Sequence, residues 1–209
     1  SYEYLSFAVG VKDKNNGIFT TERDSYDVKS ITELYIFTAE EYAKLSGSSV
    51  SLSDNEILFY SDAIKPKNEF LIQSSGGNTL KYTINKTLTE FPVLQNTVST
   101  ADRCFITVKD DDTLRRLYDF NLAAYGEHAG SMKWEAFIDL DSPKNVKDKT
   151  AQEIALKMSA LEGFGGFDRY KIETRAESAA DLYASSGGFL FLGVFLGLIF
   201  TMATALIIY

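Results

Sequence analysis

Residues Phe189 to Ile208 contain no charged side chain and consist mainly of Phe, Leu, Ile and Val. At about 1.5 Å per helical residue the run is roughly 30 Å long, the thickness of a bilayer's hydrocarbon core. The last charge in the chain is Asp181, so a segment of ordinary soluble composition passes almost directly into a spanning helix. A secretory signal peptide is excluded, because the run lies at the C-terminal end. A lipid-anchor signal would place a polar spacer between small residues and the apolar tail. Here Phe189 follows Ser185, Ser186, Gly187 and Gly188 at once. Buried core helices of this apolarity are usually shorter. A transmembrane helix over residues 187–209 is therefore expected.

Within that helix Gly193, Gly197, Thr201 and Ala205 recur every four residues and share one face. Small residues on one face let another helix approach closely, and Gly193 to Gly197 is a GxxxG spacing. The stripe predicts helix–helix packing at these four positions.

About 185 residues remain for a soluble part, enough for one large domain or two small lobes. An apolar fraction of 45% with 15 phenylalanines excludes disorder. The formal charge of −8 argues against nucleic acid and against anionic lipid as a docking surface. It would attract a cationic partner, although acidity commonly serves solubility alone. Cys104 and His128 are the sole cysteine and histidine, so no intrachain disulfide can form. That leaves the compartment open. The chain stops at Tyr209 before any far-side loop that could orient it by charge, and a fragment of a longer protein is expected.

Alternation in Tyr2 to Val11 predicts a strand, ended by polar Lys12 to Gly17. Ile31 to Phe37 reads as a second strand. Thr38 with Glu41 forms a capping box opening a helix over residues 39–46, stopped by Gly47. Ile57 to Tyr60 is again extended. Residues 66–100 read as a β-rich insert, with runs at Glu69 to Gln73 and Leu80 to Ile84 joined by a glycine turn. Asp102 to Val108 then predicts a strand, and Asp110 to Asp112 lead into a helix over residues 112–124. Trp134 to Leu140 is a further strand. Thr150 with Glu153 repeats the capping pattern before a helix over residues 150–161 that puts Ile154, Met158 and Leu161 on one face. Gly163 to Gly166 breaks it, Tyr170 to Thr174 closes with a strand, and Ala176 begins the final helix. The order suggests an α+β domain over residues 1–185, built as two strand-helix-strand halves with an inserted β-rich lobe.

Nucleophilic triads need His128 or Cys104 to find partners, and no second histidine or cysteine exists. Cys104 sits in an apolar strand run and reads as a small buried hydrophobe. No zinc-ligand spacing is present. The aspartates at 110–112 lack EF-hand spacing and read as a helix N-terminus complementing the macrodipole. Neither GxxxxGK[ST] nor GxGxxG occurs. Asn85-Lys86-Thr87 is a glycosylation acceptor only in a eukaryotic secretory context. No enzyme activity and no cofactor are expected.

The run Ser186-Gly187-Gly188-Phe189-Leu190-Phe191-Leu192-Gly193-Val194-Phe195-Leu196-Gly197-Leu198-Ile199-Phe200, continued by Ala205-Leu206-Ile207-Ile208-Tyr209, resembles the helix that follows the large extracellular domain of FtsX-like ABC transporter permeases. More narrowly, it resembles the bacitracin-resistance (Bce-type) permeases. The resemblance is close over about 24 residues and otherwise rests on element order. It implies an extracellular domain on the cell membrane of a Gram-positive bacterium, working with a cytosolic ABC ATPase and often a sensor histidine kinase. It also implies resistance to cell-wall-targeting antimicrobial peptides, which are commonly cationic, and a ligand that is such a peptide or its complex with a lipid-linked precursor. The family's other membrane helices are missing here, and no ligand-contacting residue is carried over. A second function class stays open: a membrane-tethered domain recruiting another envelope protein, as in divisome FtsX-like proteins.

Overall fold

A computed structural model describes residues 1–22, 28–74, 76–92, 101–136, 138, 140–159, 172 and 174–208. The chain divides into two units, Ser1–Phe137 and Ile138–Tyr209.

The first unit carries β1 (Tyr2–Asp13), β2 (Ile18–Thr20), β3 (Ser30–Thr38), α1 (Ala39–Ser46), β4 (Glu56–Ser61), β5 (Glu69–Gln73), β6 (Thr79–Thr87), β7 (Asp102–Val108), α2 (Asp111–Tyr125) and β8 (Ser131–Glu135). Its strands run β2-β5-β6-β4-β7-β3-β1, and β1 pairs back onto β2, so seven of them close into a ring. Three neighbour pairs are parallel, β2 with β5, β3 with β7 and β4 with β6; the others are antiparallel. Closure works because β1 is long. The Gly10 to Asp13 end of its free edge takes β2, with a register shift between Val11 and Asp13, while Tyr2 to Ser6 take β8.

Alternation sets what fills the ring. Leu5, Phe7, Val9 and Val11 of β1 and Leu34 and Ile36 of β3 point into one buried cluster with Phe19, Phe59, Phe70 and Ile106. The rings of Phe19 and Phe70 lie 4.7 Å apart and those of Phe59 and Phe70 6.1 Å apart. Such tilted pairs add about 0.5–1.5 kcal/mol each beyond the area they bury. Leu114 and Leu117 of α2 join the same cluster, and the Tyr125 hydroxyl donates to the Thr21 carbonyl at 2.7 Å. The outward residues Tyr2, Tyr4, Phe37 and Phe105 form a second small core with Phe91, packed by Tyr42 and Leu45 of α1.

The helices begin and end on local chemistry. Thr38 Oγ1 accepts from the Glu41 N–H, and Gly47 closes α1 at a φ of 69°, its N–H donating to Ala43. The reciprocal half of the expected capping box is not made: the Glu41 carboxylate accepts from the Glu3 N–H at 3.1 Å and bridges Lys44 at 2.7 Å. Asp110 caps α2 by accepting from the Thr113 N–H at 2.9 Å.

Mixed α and β structure agrees with expectation, but the layout differs. The two strand-helix-strand stretches do not form separate halves, since β7 lies between β3 and β4 in one continuous ring. Over its described residues, 66–74 and 76–92, the expected insert is not a lobe either, and the rest of residues 66–100 lies outside the described residues. β5 and β6 are staves of the same ring, pairing with β2 and β4. β2 went unrecognised because three residues are too few to display alternation. β8 covers Ser131–Glu135 rather than Trp134 to Leu140, because its register against β1 reaches Tyr2 at Glu135.

The second unit contains α3 (Lys144–Ser159) and α4 (Arg175–Ile208). Thr150 does not cap a helix. Helix α3 starts just after Pro143, whose carbonyl accepts from Val146 and Lys147, and the Thr150 hydroxyl bonds back to the Val146 carbonyl at 2.9 Å. A threonine already inside a helix commonly bonds one turn back in this way. Leu161, Gly163 to Gly166 and Tyr170 lie outside the described residues. Of the expected strand Tyr170 to Thr174, Ile172 and Thr174 are in neither helix nor strand. Helix α4 is continuous for 34 residues and passes through residues 185–187 without a break.

Candidate functional site

The alternation of β1 that fills the ring with Leu5 and Phe7 turns Tyr2 and Tyr4 outward. In an antiparallel pair, directly opposed residues share a face. Glu135 is opposed to Tyr2 and Lys133 to Tyr4. The Glu135 carboxylate accepts the Tyr2 hydroxyl at 2.6 Å and the Tyr4 hydroxyl at 2.5 Å, one on each oxygen. Burial, and then the hydrogen bonds to Glu135, raise the pKa values of both hydroxyls far above the ordinary tyrosine range. Both tyrosines therefore stay protonated donors at physiological pH, and β8 is clamped to β1 by its last residue. The Lys133 ammonium lies 5.9 Å from the centre of the Tyr4 ring, a cation–π contact on the same face.

The start of β8 is equally constrained. A Cβ on Gly130 would fall on the Ser6 carbonyl and the Phe7 side chain, so only glycine lets the chain enter the strand this close to β1. The Gly130 N–H donates to buried Asn121 of α2 at 2.6 Å.

The other face of β8 is open. Trp134 stands opposite Glu3, and Met132 opposite Leu5. Trp134 is 62% exposed and Met132 46%. Among the described residues β8 pairs with β1 alone, and the Glu3 carboxylate has no hydrogen-bond or ion-pair partner. Sequence reasoning placed Trp134 in a strand but missed this grouping. Glu3, Trp134 and Glu135 meet only through a register that joins the two ends of the first unit.

The other sequence-derived site residues lie on α4. Gly193, Gly197, Thr201 and Ala205 are all exposed, and a Cβ added at either glycine meets nothing within 4 Å. Thr201 satisfies its hydroxyl within the helix, donating to the Gly197 carbonyl at 2.8 Å, and Thr204 does the same to Phe200. Such back-bonding removes the polar groups from the helix surface. Phe191–Ile208 is the one described helix segment long and apolar enough to cross a membrane, and none of it is buried within the chain. It is a candidate membrane anchor.

Cys104 and His128 are not brought together. Cys104 is fully buried in the ring interior, where burial pushes its thiol pKa well up and suppresses the nucleophilic thiolate. His128 stands in solvent, 3.8 Å from Glu127. Asp110 serves as the cap of α2, with Asp111 and Asp112 in the first turn, which is the role the sequence suggested for all three. Among the described residues no group of three or more His, Cys, Asp or Glu side chains is arranged to hold a metal ion. No protein-family model matches this chain, and no curated protein matches it.

Proposed function

We propose that this chain is the extracellular domain and following membrane helix of an FtsX-like ABC transporter permease of the bacitracin-resistance type, which senses cell-wall-targeting antimicrobial peptides and contributes to resistance against them. The observation that carries this reading is the Phe191–Ile208 segment of α4, exposed and uncharged, within a run, residues 186–209, that resembles the corresponding family helix. Charge adds support. Ser1–Phe137 holds 20 acidic and 14 basic residues, a formal −6, which would draw in a cationic peptide.

In this reading the chain is non-catalytic. Its partners are an ABC ATPase and a sensor histidine kinase, reached through other parts of the permease. The membrane is that of a Gram-positive cell, with the soluble part outside. Gly193, Gly197, Thr201 and Ala205 then pack against a neighbouring permease helix, as small-residue stripes do in lipid.

The test is binding of the full chain, held in neutral detergent, to nisin-like and bacitracin-like peptides across ionic strength. Screening shortens electrostatic reach from about 10 Å at 0.1 M salt to about 3 Å at 1 M. Association should therefore be strongest at low salt and weaken progressively. No peptide binding at any salt, with a stable envelope protein recovered instead, would replace this reading by the tethered recruitment domain.

A further inference from the structure

Closing a sheet into a ring removes strand edges, and an edge left over is usually blunted by a charged side chain or a covering element. β8 is the strand outside the seven-stranded ring. Its lysine does not guard the edge from the Trp134 face, because Lys133 lies over the Tyr4 ring on the opposite face. Trp134 and Met132 are instead presented to solvent beside the unpaired Glu3 carboxylate. The strand itself is held firmly, by Glu135 at one end and Gly130 at the other. A fixed edge strand that carries an exposed aromatic, with a carboxylate on the same face one strand behind it, has the chemistry to receive an extended backbone whose cationic side chain reaches across the indole.

We propose that the free edge of β8, Ser131–Glu135, takes up an extended cationic peptide segment as an added β-strand, with Trp134 and Glu3 receiving one of its Lys or Arg side chains. Main-chain hydrogen bonds to the β8 edge provide affinity without regard to sequence. The indole face and the Glu3 carboxylate select a cation, and Met132 accepts an apolar neighbour two residues along on the same face. A second copy of this chain fits less well. Full antiparallel overlap of two β8 strands puts Lys133 directly against Lys133, a like-charge pair that destabilises a sheet. The inference gives the cationic ligand proposed above a place to bind, and rests on that reading for the ligand being a peptide.

Trp134 is the only tryptophan in the chain, so its fluorescence reports on this edge alone. The full chain in neutral detergent is titrated with a capped synthetic peptide of alternating lysine and valine. The expected result is a saturable shift of Trp134 emission to shorter wavelength. The same peptide methylated on alternate backbone amides, on the side that faces β8, should bind about tenfold more weakly or not at all. Glu3→Gln should weaken the lysine peptide about two- to fivefold and leave a serine-for-lysine analogue unchanged. Equal binding of the methylated peptide, or a β8-mediated dimer that the peptide does not dissociate, overturns the proposal. Calorimetric binding of nisin that leaves Trp134 emission unmoved also overturns it, while leaving the permease reading intact. Docking of the lysine–valine peptide at Trp134 when no antimicrobial peptide binds at any salt supports the edge site and removes the permease reading.

Discussion

The ring of Ser1–Phe137 and the helix α4 are both rich in apolar side chains, but they dispose of them in opposite ways. In the ring, every second residue from Leu5 to Val11 of β1 and from Thr32 to Thr38 of β3 is buried, so the inward side of each strand is satisfied inside the protein. Along α4 from Phe191 to Ile208 there is no such division, and Leu198, Phe200, Leu206 and Ile207 are all exposed. A patch of that size in water would aggregate. The same composition is at home in lipid, where an exposed leucine costs nothing and a helix satisfies its own backbone. Periodicity, rather than hydrophobicity, separates the part that makes its own interior from the part that borrows one.

The sharpest way to break this comparison is to put a charge into α4. Leu198→Arg should raise the cost of membrane insertion by about 2.5–3.5 kcal/mol. The chain should then move from the membrane fraction into the soluble or aggregated one, measured by flotation with liposomes. Truncation after Ser186 should give a domain soluble without detergent. If that truncation is insoluble while the longer chain is soluble, the segment belongs to a core and the comparison fails.

A cavity should have the opposite address. Phe70→Ala removes a fully buried ring in contact with Phe19, Phe59 and Tyr82, and should cost the first unit about 3–5 kcal/mol in denaturant unfolding. Leu198→Ala should leave that unfolding curve where it was.

Next in size is Gly130→Ala, whose methyl group has nowhere to go against Ser6 and Phe7. Overpacking of this kind costs about 1–3 kcal/mol. The loss should appear together with increased amide exchange in β8, whereas Gly193→Ala on α4 should leave the first unit's exchange unchanged.

The smallest effects belong to the helix cap. Asp110→Ala should destabilise the first unit by about 1 kcal/mol, read from the denaturation midpoint. The hydrogen bonds from the Thr113 N–H and hydroxyl hold the Asp110 carboxyl below its ordinary value of 3.8. Its contribution is therefore present above that pH and declines as pH falls through the lowered value. Asp110→Asn retains a capping acceptor and should flatten this part of the acid response. Membrane partitioning of the segment beyond Asp181, which holds no Asp, Glu, His, Lys or Arg, should not follow the same curve.

Much of the first unit was legible because its signals are local. α1 was bounded by Thr38 and Gly47, and β5 and β7 were short runs of strand-favouring residues, so their limits agree with what was expected. α4 was legible from composition alone. What escaped was everything that depends on which strand meets which. Ring closure requires β1 to change partner halfway along, and no single stretch of sequence records that. The β8 edge was hidden for the same reason. Trp134 read as one residue of a strand, Glu3 as one charge near the start, and only the Glu3 to Trp134 register makes them neighbours. Capping was half legible, since Thr38 behaved as its pattern implied while Thr150 lost its role to the start set by Pro143.

The bond between Tyr2 and Glu135 joins positions 133 residues apart. Seen as a sequence of events during synthesis, β1, made before the other seven strands of its sheet, is among the last to be completed. β2 and β3 can zip onto β1 early, through the connections that follow it directly. The Tyr2 to Ser6 half of its outer edge must wait until β8 has emerged, and long closures of this kind make folding slow. Through that interval the first strand exposes an edge flanked by two tyrosines whose hydroxyls have no carboxylate yet. A nascent chain stalled before residue 131 should therefore be far more prone to pair with its neighbours than one stalled after residue 136.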